Sequence, residues 1–181
     1  SSIEVFVYLP RQNIDVQPQR FVHFGYPADS NCPGYRVAET LLDKGSGRFN
    51  EDALGINDTT CVVCDGATSL QQAAERCLPG TSGGQQAARI GAAAFTSSAG
   101  SSLLDSARRA NQQIRARMVQ AGVELGCRER FWSTSLAAVR VHGHRLDWCQ
   151  IGDCMIMLIF NDGRSRLLTP VPAQDEQVLR T

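Results

Sequence analysis

The stretch Arg48-Phe49-Asn50-Glu51-Asp52-Ala53-Leu54-Gly55-Ile56-Asn57-Asp58-Thr59-Thr60-Cys61-Val62-Val63-Cys64-Asp65-Gly66-Ala67-Thr68 decides how this chain is read. Two short apolar runs, 54–56 and 61–64, flank Asn57-Asp58, a dipeptide suited to a tight turn. They read as the two arms of a β-hairpin. If the arms pair, Glu51 and Asp52 at the start of one arm emerge beside Asp65 at the end of the other. Carboxylates gathered at one sheet end repel one another and are costly to desolvate. A hard divalent cation bound through oxygen is the usual compensation, so the stretch points to metal-assisted chemistry.

Cys61 and Cys64 lie in the same arm, three residues apart. On a strand that spacing directs them to opposite faces, so they cannot chelate one zinc ion and read as small buried side chains. The chain holds 7 cysteines, an odd number without regular spacing, which favours a reduced compartment over a disulfide framework. No apolar run approaches membrane-spanning length. The opening residues 1–9 lack a basic region and a small-residue cleavage site, so they do not read as a signal peptide. A cytoplasmic location is the expectation. With 18 Lys plus Arg against 18 Asp plus Glu, no global field favours nucleic acid or an anionic membrane.

A length of 181 residues suits one domain with a substantial core. Residues 1–34 are expected to form an N-terminal strand, 3–9, and an irregular extension with prolines at 18, 27 and 33. Residues 35–181 form the main domain, with a first strand over 35–42. A loop at 79–84 precedes an alanine-rich helix over 85–97, and 80–84 reads as a flexible capped loop. A second helix covers 102–122, its apolar stripe running through Leu103, Ala107, Ala110, Ile114, Met118 and Ala121. From Trp132 the pattern is β, in runs 135–141, 146–151, 155–160 and 164–168. Gly143 sits at a turn between two solvent-facing histidines, His142 and His144, and Asn161-Asp162-Gly163 is a hairpin signal. Strands, two helices and then a β-meander give an α+β class with helices packed on antiparallel sheets.

Five short motifs in order extend this reading: Arg48-x-Asn50-Glu51-Asp52, Asp65-Gly66, Gly83-Gly84 opening a helix, Trp132-Ser133-Thr134-Ser135-Leu136, and Gly152-Asp153-Cys154-Met155. Together they resemble the metal-dependent protein phosphatases, the PPM or type 2C family. The resemblance covers roughly residues 36 to 170 and implies an antiparallel β-sandwich flanked by helix pairs. It also implies a centre of two Mn²⁺ or Mg²⁺ ions at one sheet end, and hydrolysis of phosphoserine and phosphothreonine in protein substrates without a phosphoenzyme. Carried over by position, Asp65 bridges the metals and the Gly66 carbonyl binds one of them. Glu51 and Asp52 hold metal-bound waters or touch the metal, Asp153 helps bind a further ion, and Arg48 binds phosphate.

The chain departs from the family pattern in three places. Arg48 stands three residues before Glu51 where the family's arginine stands four before its glutamate, and Ala67-Thr68 replace a frequent His-Gly-Gly. The two later metal aspartates of the family have no counterpart after Asp153, so the chain is read as the N-terminal two-thirds of such a domain. A PPM-like module that binds a partner without catalysis is the second reading. An α+β domain whose acidic turns bind nothing is the third. The substrate, the regulator and the oligomeric state are not legible.

Overall fold

The structure is a computed structural model describing residues 3–8, 22–25, 36–40, 42, 49–67, 80–97, 101–142, 145–160 and 162–169. The hairpin reading holds. β4 (Asp52–Ile56) and β5 (Thr60–Ala67) pair antiparallel from Asp52↔Asp65 to Ile56↔Cys61. Asn57 shapes the turn between them. Its Oδ1 accepts from the backbone N–H of Thr59 at 3.0 Å and of Thr60 at 2.8 Å, and its own N–H donates to the Thr60 carbonyl at 2.9 Å. This use of a short amide side chain to replace strand hydrogen bonds is why asparagine favours such positions.

β5 pairs along its whole length with β6 (Ser133–His142), which pairs in turn with β7 (Arg145–Ile151). The resulting four-stranded antiparallel sheet has the order β4-β5-β6-β7. β5 is apolar on both faces because both are covered. Cys61 and Val63, with Ala137 and Val139 of β6, face a second sheet through Cys154 and Ile156. Val62 and Cys64, with Leu136 and Ala138, face helices through Ala88, Ala92 and Phe95. Cys61 and Cys64 are therefore buried on opposite faces as free thiols.

The second sheet has the order β3-β2-β1-β8-β9, built from β1 (Ile3–Tyr8), β2 (Val22–Gly25), β3 (Arg36–Glu39), β8 (Met155–Phe160) and β9 (Ser165–Leu167). β1 occupies its centre and pairs with β8 from Ile3↔Phe160 to Tyr8↔Met155. β1 and β2, at 3–8 and 22–25, thus join the same sheet as β8 and β9. The expected β-meander is divided. β6–β7 and β8–β9 are hairpins, but β7 and β8 belong to different sheets. At the corner Gly152 has φ +78°, and a Cβ there would lie 2.4 Å from the Ser135 Cβ. Only glycine gives both the left-handed backbone and that close approach.

One helix pair covers the four-stranded sheet among the described residues. α1 (Gly83–Thr96) lies directly on the sheet through Ala88, Ala92 and Phe95, and a Cβ added at Gly91 would stand 3.2 Å from the Cys64 sulfur. Its alanine and glycine content is the sequence signature of that close seating. Phe95 is fully buried and anchors the contact, a burial that contributes roughly 1.5–3 kcal/mol. α2 (Leu103–Gln120) begins at Ser102, whose hydroxyl accepts from the Asp105 N–H at 3.0 Å. Its buried residues Leu103, Ala110, Ile114 and Met118 match the expected stripe, and Ile114 and Met118 pack with Ala87 of α1 and Trp132. The α+β sandwich class is as expected. Gly143 and His144 lie outside the described residues. No helix among the described residues is long and apolar enough to cross a membrane.

Candidate metal centre

The antiparallel register sets Asp52 directly opposite Asp65, at the end of the hairpin away from its turn. The Asp65 carboxyl is pushed up to about 6. Half-burial is the largest cause, followed by the charge of Asp52, that of Asp153, a hydrogen bond to Asp52, and the charge of Glu51. Three carboxyl groups from two other segments therefore act on Asp65 at this sheet end. Asp153 reaches the group because Gly152, packed on Ser135, turns the chain beside the residue paired with Asp65.

Glycine at position 66 follows from packing. A Cβ there would lie 2.2 Å from the Gly84 carbonyl oxygen and 2.6 Å from that of Glu51. The end of β5 thus presses against the first turn of α1 and against the strand of Glu51, whose carbonyl accepts from the Gly66 N–H at 3.0 Å. Thr134, paired with Gly66 across the sheet, donates its hydroxyl to the Asp65 carbonyl at 2.9 Å.

The first turn of α1 also grips the loop before β4. Ser82 is the helix N-cap: its hydroxyl accepts from the Gln85 N–H at 3.1 Å and donates to Glu51 Oε1. The Gln85 side-chain amide donates to the Asn50 carbonyl at 2.8 Å, and Asn50 Oδ1 accepts from the Asp52 N–H at 3.1 Å. Ser82, Gln85 and Asn50 are functional contacts that sequence reasoning did not assign. The available signal was Ser82-x-x-Gln85, a helix-start pattern, here turned toward a neighbouring strand. Glycine at 84 fits the same junction, since a Cβ would lie 2.9 Å from Glu51 Oε1.

The structure thus brings together Glu51, Asp52, Asp65, Gly66 and Asp153. Arg48 lies outside the described residues. Every donor in the cluster is oxygen, which suits Mn²⁺ or Mg²⁺ and not a soft-ligand metal. Among the described residues, no three His, Cys, Asp or Glu side chains form a complete metal-holding group. A hard cation at this sheet end would be held by few protein oxygens, with water filling its remaining positions. The cysteines nearby offer no alternative ligand set: burial pushes the Cys154 thiol up to about 12, and Cys64 and Cys61 well above the usual thiol range.

The arrangement has counterparts. The model of the family described as protein phosphatase 2C matches residues 44–177, well over half of the chain. The fold is similar to the crystal structure of the Mycobacterium tuberculosis serine/threonine phosphatase PstP/Ppp, with a TM-score of 0.56 at 20% sequence identity. That match covers 76% of this chain and 55% of the other, so the chain spans little more than half the length of its structural relative. A search of curated protein sequences returned no match. Because the family match, residues 44–177, runs from just ahead of the acidic hairpin to beyond β9 and spans the segments that build the carboxylate cluster, the chain belongs to the protein phosphatase 2C family.

Proposed function

We propose that the protein is a metal-dependent serine/threonine phosphatase acting on phosphorylated proteins in the cytoplasm. The observation that carries the reading is the convergence of Glu51, Asp52, Asp65 and Asp153, where half-burial first and the neighbouring carboxylates second push the Asp65 carboxyl up to about 6. Two Mn²⁺ or Mg²⁺ ions at such a site supply charge neutralisation for a phosphate dianion and water acidified enough to attack phosphorus. Asp65, at the centre of the cluster, Asp52 across the register, and the Gly66 carbonyl would be the residues to hold them. Glu51, held by Ser82, is placed to orient water at the rim. Asp153, on the exposed corner, is placed for a more hydrated ion. Arg48, one position off the family's arginine, is assigned to the phosphate by the fit of a guanidinium to two phosphate oxygens.

These residues offer no serine or cysteine nucleophile. Among the described residues near the cluster, Cys154 is buried with its thiol pushed up to about 12, and so does not ionise near neutral pH. Direct attack by water is the route that remains with this set. The test is turnover of p-nitrophenyl phosphate and of a phosphothreonine peptide by the full-length protein with Mn²⁺, Mg²⁺, Ca²⁺ or Zn²⁺, wild type against Asp65→Asn. Activity greatest with Mn²⁺ and lost in the variant is expected. Metal-independent turnover, or an undiminished variant, contradicts the reading. One observation favours the alternative of a non-catalytic binding module: no three described ligands form a complete metal group. Full-length protein that binds a phosphopeptide but never turns it over would establish that alternative.

A further inference from the structure

The first turn of α1 meets the acidic loop through several contacts, one of which reaches the Glu51 carboxylate. Ser82 is almost fully buried, 3% exposed, although serine at a helix start is ordinarily a surface residue. Its hydroxyl has two partners with opposite roles: the lone pair accepts from the Gln85 N–H at 3.1 Å, and the proton goes to Glu51 Oε1. The N-cap duty needs only the acceptor. The donor is therefore surplus to the helix and is spent on Glu51.

The surrounding residues keep this contact in place. Gln85, 7% exposed, ties the same turn to the Asn50 carbonyl at 2.8 Å, and Gly84 leaves room where a Cβ would lie 2.9 Å from Glu51 Oε1. The Glu51 backbone is fixed separately by the Gly66 N–H at 3.0 Å. Glu51 thus has an anchored backbone, and the Ser82 hydroxyl is one restraint on its side chain. Restricting a ligand before it is needed strengthens what it later binds.

We infer that Ser82 is a positioning residue for Glu51, coupling the α1 N-terminus to the metal affinity of the carboxylate cluster. The inference rests on the proposed metal-dependent function and adds to it the residue that orients Glu51.

Mn²⁺ titration of the full-length protein by calorimetry tests it, with Asp65→Asn as the reference for a disabled cluster. Ser82→Ala should weaken Mn²⁺ binding about tenfold, the lower end of the effect of removing an orienting partner of a metal ligand. Ser82→Thr keeps the hydroxyl and should stay within about threefold of wild type. Ser82→Gly separates positioning from capping, since glycine costs a helix start little relative to serine; it should melt near the wild type yet bind Mn²⁺ as weakly as Ser82→Ala. In a Glu51→Gln background, Ser82→Ala should change affinity by less than about twofold, because residues acting through one another are not additive. Wild-type affinity in Ser82→Ala, or an undiminished loss in the Glu51→Gln background, overturns the inference and leaves the metal site standing. Wild-type protein that binds Mn²⁺ no better than Asp65→Asn overturns both.

Discussion

Replacing Asp65 by asparagine should stabilise the metal-free protein, and the pH at which it does so follows from the cluster. Asp65 is protonated up to about pH 6 in the fold, through burial and the charges of Asp52, Asp153 and Glu51, against about 3.9 in an unfolded chain. Because the folded value is the higher one, the folded state holds this proton more tightly. The contribution to stability is complete below about pH 4 and is lost as the pH rises through about 6. Roughly two pH units at about 1.4 kcal/mol each set a ceiling near 3 kcal/mol. Asp65 is only half-buried, so solvent screening reduces this to about 1–2 kcal/mol. Asparagine keeps the shape and can still donate to Asp52, while removing the charge. In EDTA at pH 7.5, thermal unfolding followed by circular dichroism should place Asp65→Asn roughly 2–8 °C above wild type. At pH 4 the difference should vanish. Excess Mn²⁺ should reverse the order, because ligand binding stabilises only the protein that binds it. A variant less stable than wild type at pH 7.5, or an offset that is the same at both pH values, would refute the electrostatic reasoning.

Further outcomes follow from packing. Gly152→Ala must place a side chain at φ +78° and 2.4 Å from the Ser135 Cβ, so a loss of about 2 kcal/mol or more in urea unfolding is expected, with weaker Mn²⁺ binding as the Asp153 corner shifts. Arg140 is buried at 4% exposure, donating from Nε to Thr60 at 2.8 Å and from Nη1 to the Ser101 carbonyl, while its Nη2 has no hydrogen-bond partner among the described residues. Arg140→Ala should cost about 2–4 kcal/mol by removing these ties and opening a cavity, whereas Arg140→Met, which keeps the volume and sheds the buried charge, should cost about half as much. Equal losses in the two Arg140 variants would show that the hydrogen bonds, and not the cavity, dominate.

The acidic hairpin was legible because its information is local. Asn57 has the short amide that closes such a turn, and the apolar arms on either side fix the register once both faces are buried. That register alone predicts Asp52 opposite Asp65. The strand character of 3–8 was equally visible, but its partner β8 lies some 150 positions later, and no local pattern reports a pairing at that distance. The change of sheet at Gly152 was hidden for a different reason. The residues of β7 and β8 both read as strand, and a glycine between them marks a bend without saying which sheet follows. Ser82 was read as part of a flexible loop because its role depends on Glu51, 31 positions earlier. The oxygen-only character of the site was readable from residue types, whereas Asp153 was reached only through the family resemblance, its nearness to Asp65 depending on the corner folded against Ser135.

The most direct test of the account is calorimetric titration of the full-length protein with Mn²⁺ at pH 6, in two buffers of different ionisation enthalpy, for wild type and Asp65→Asn. The carboxylate cluster predicts that wild type binds Mn²⁺ and releases part of a proton as the ion displaces it from Asp65, and that the variant loses both the binding and the proton release. Equal Mn²⁺ affinity and equal proton release in the two proteins would contradict the assignment of this sheet end as the metal centre.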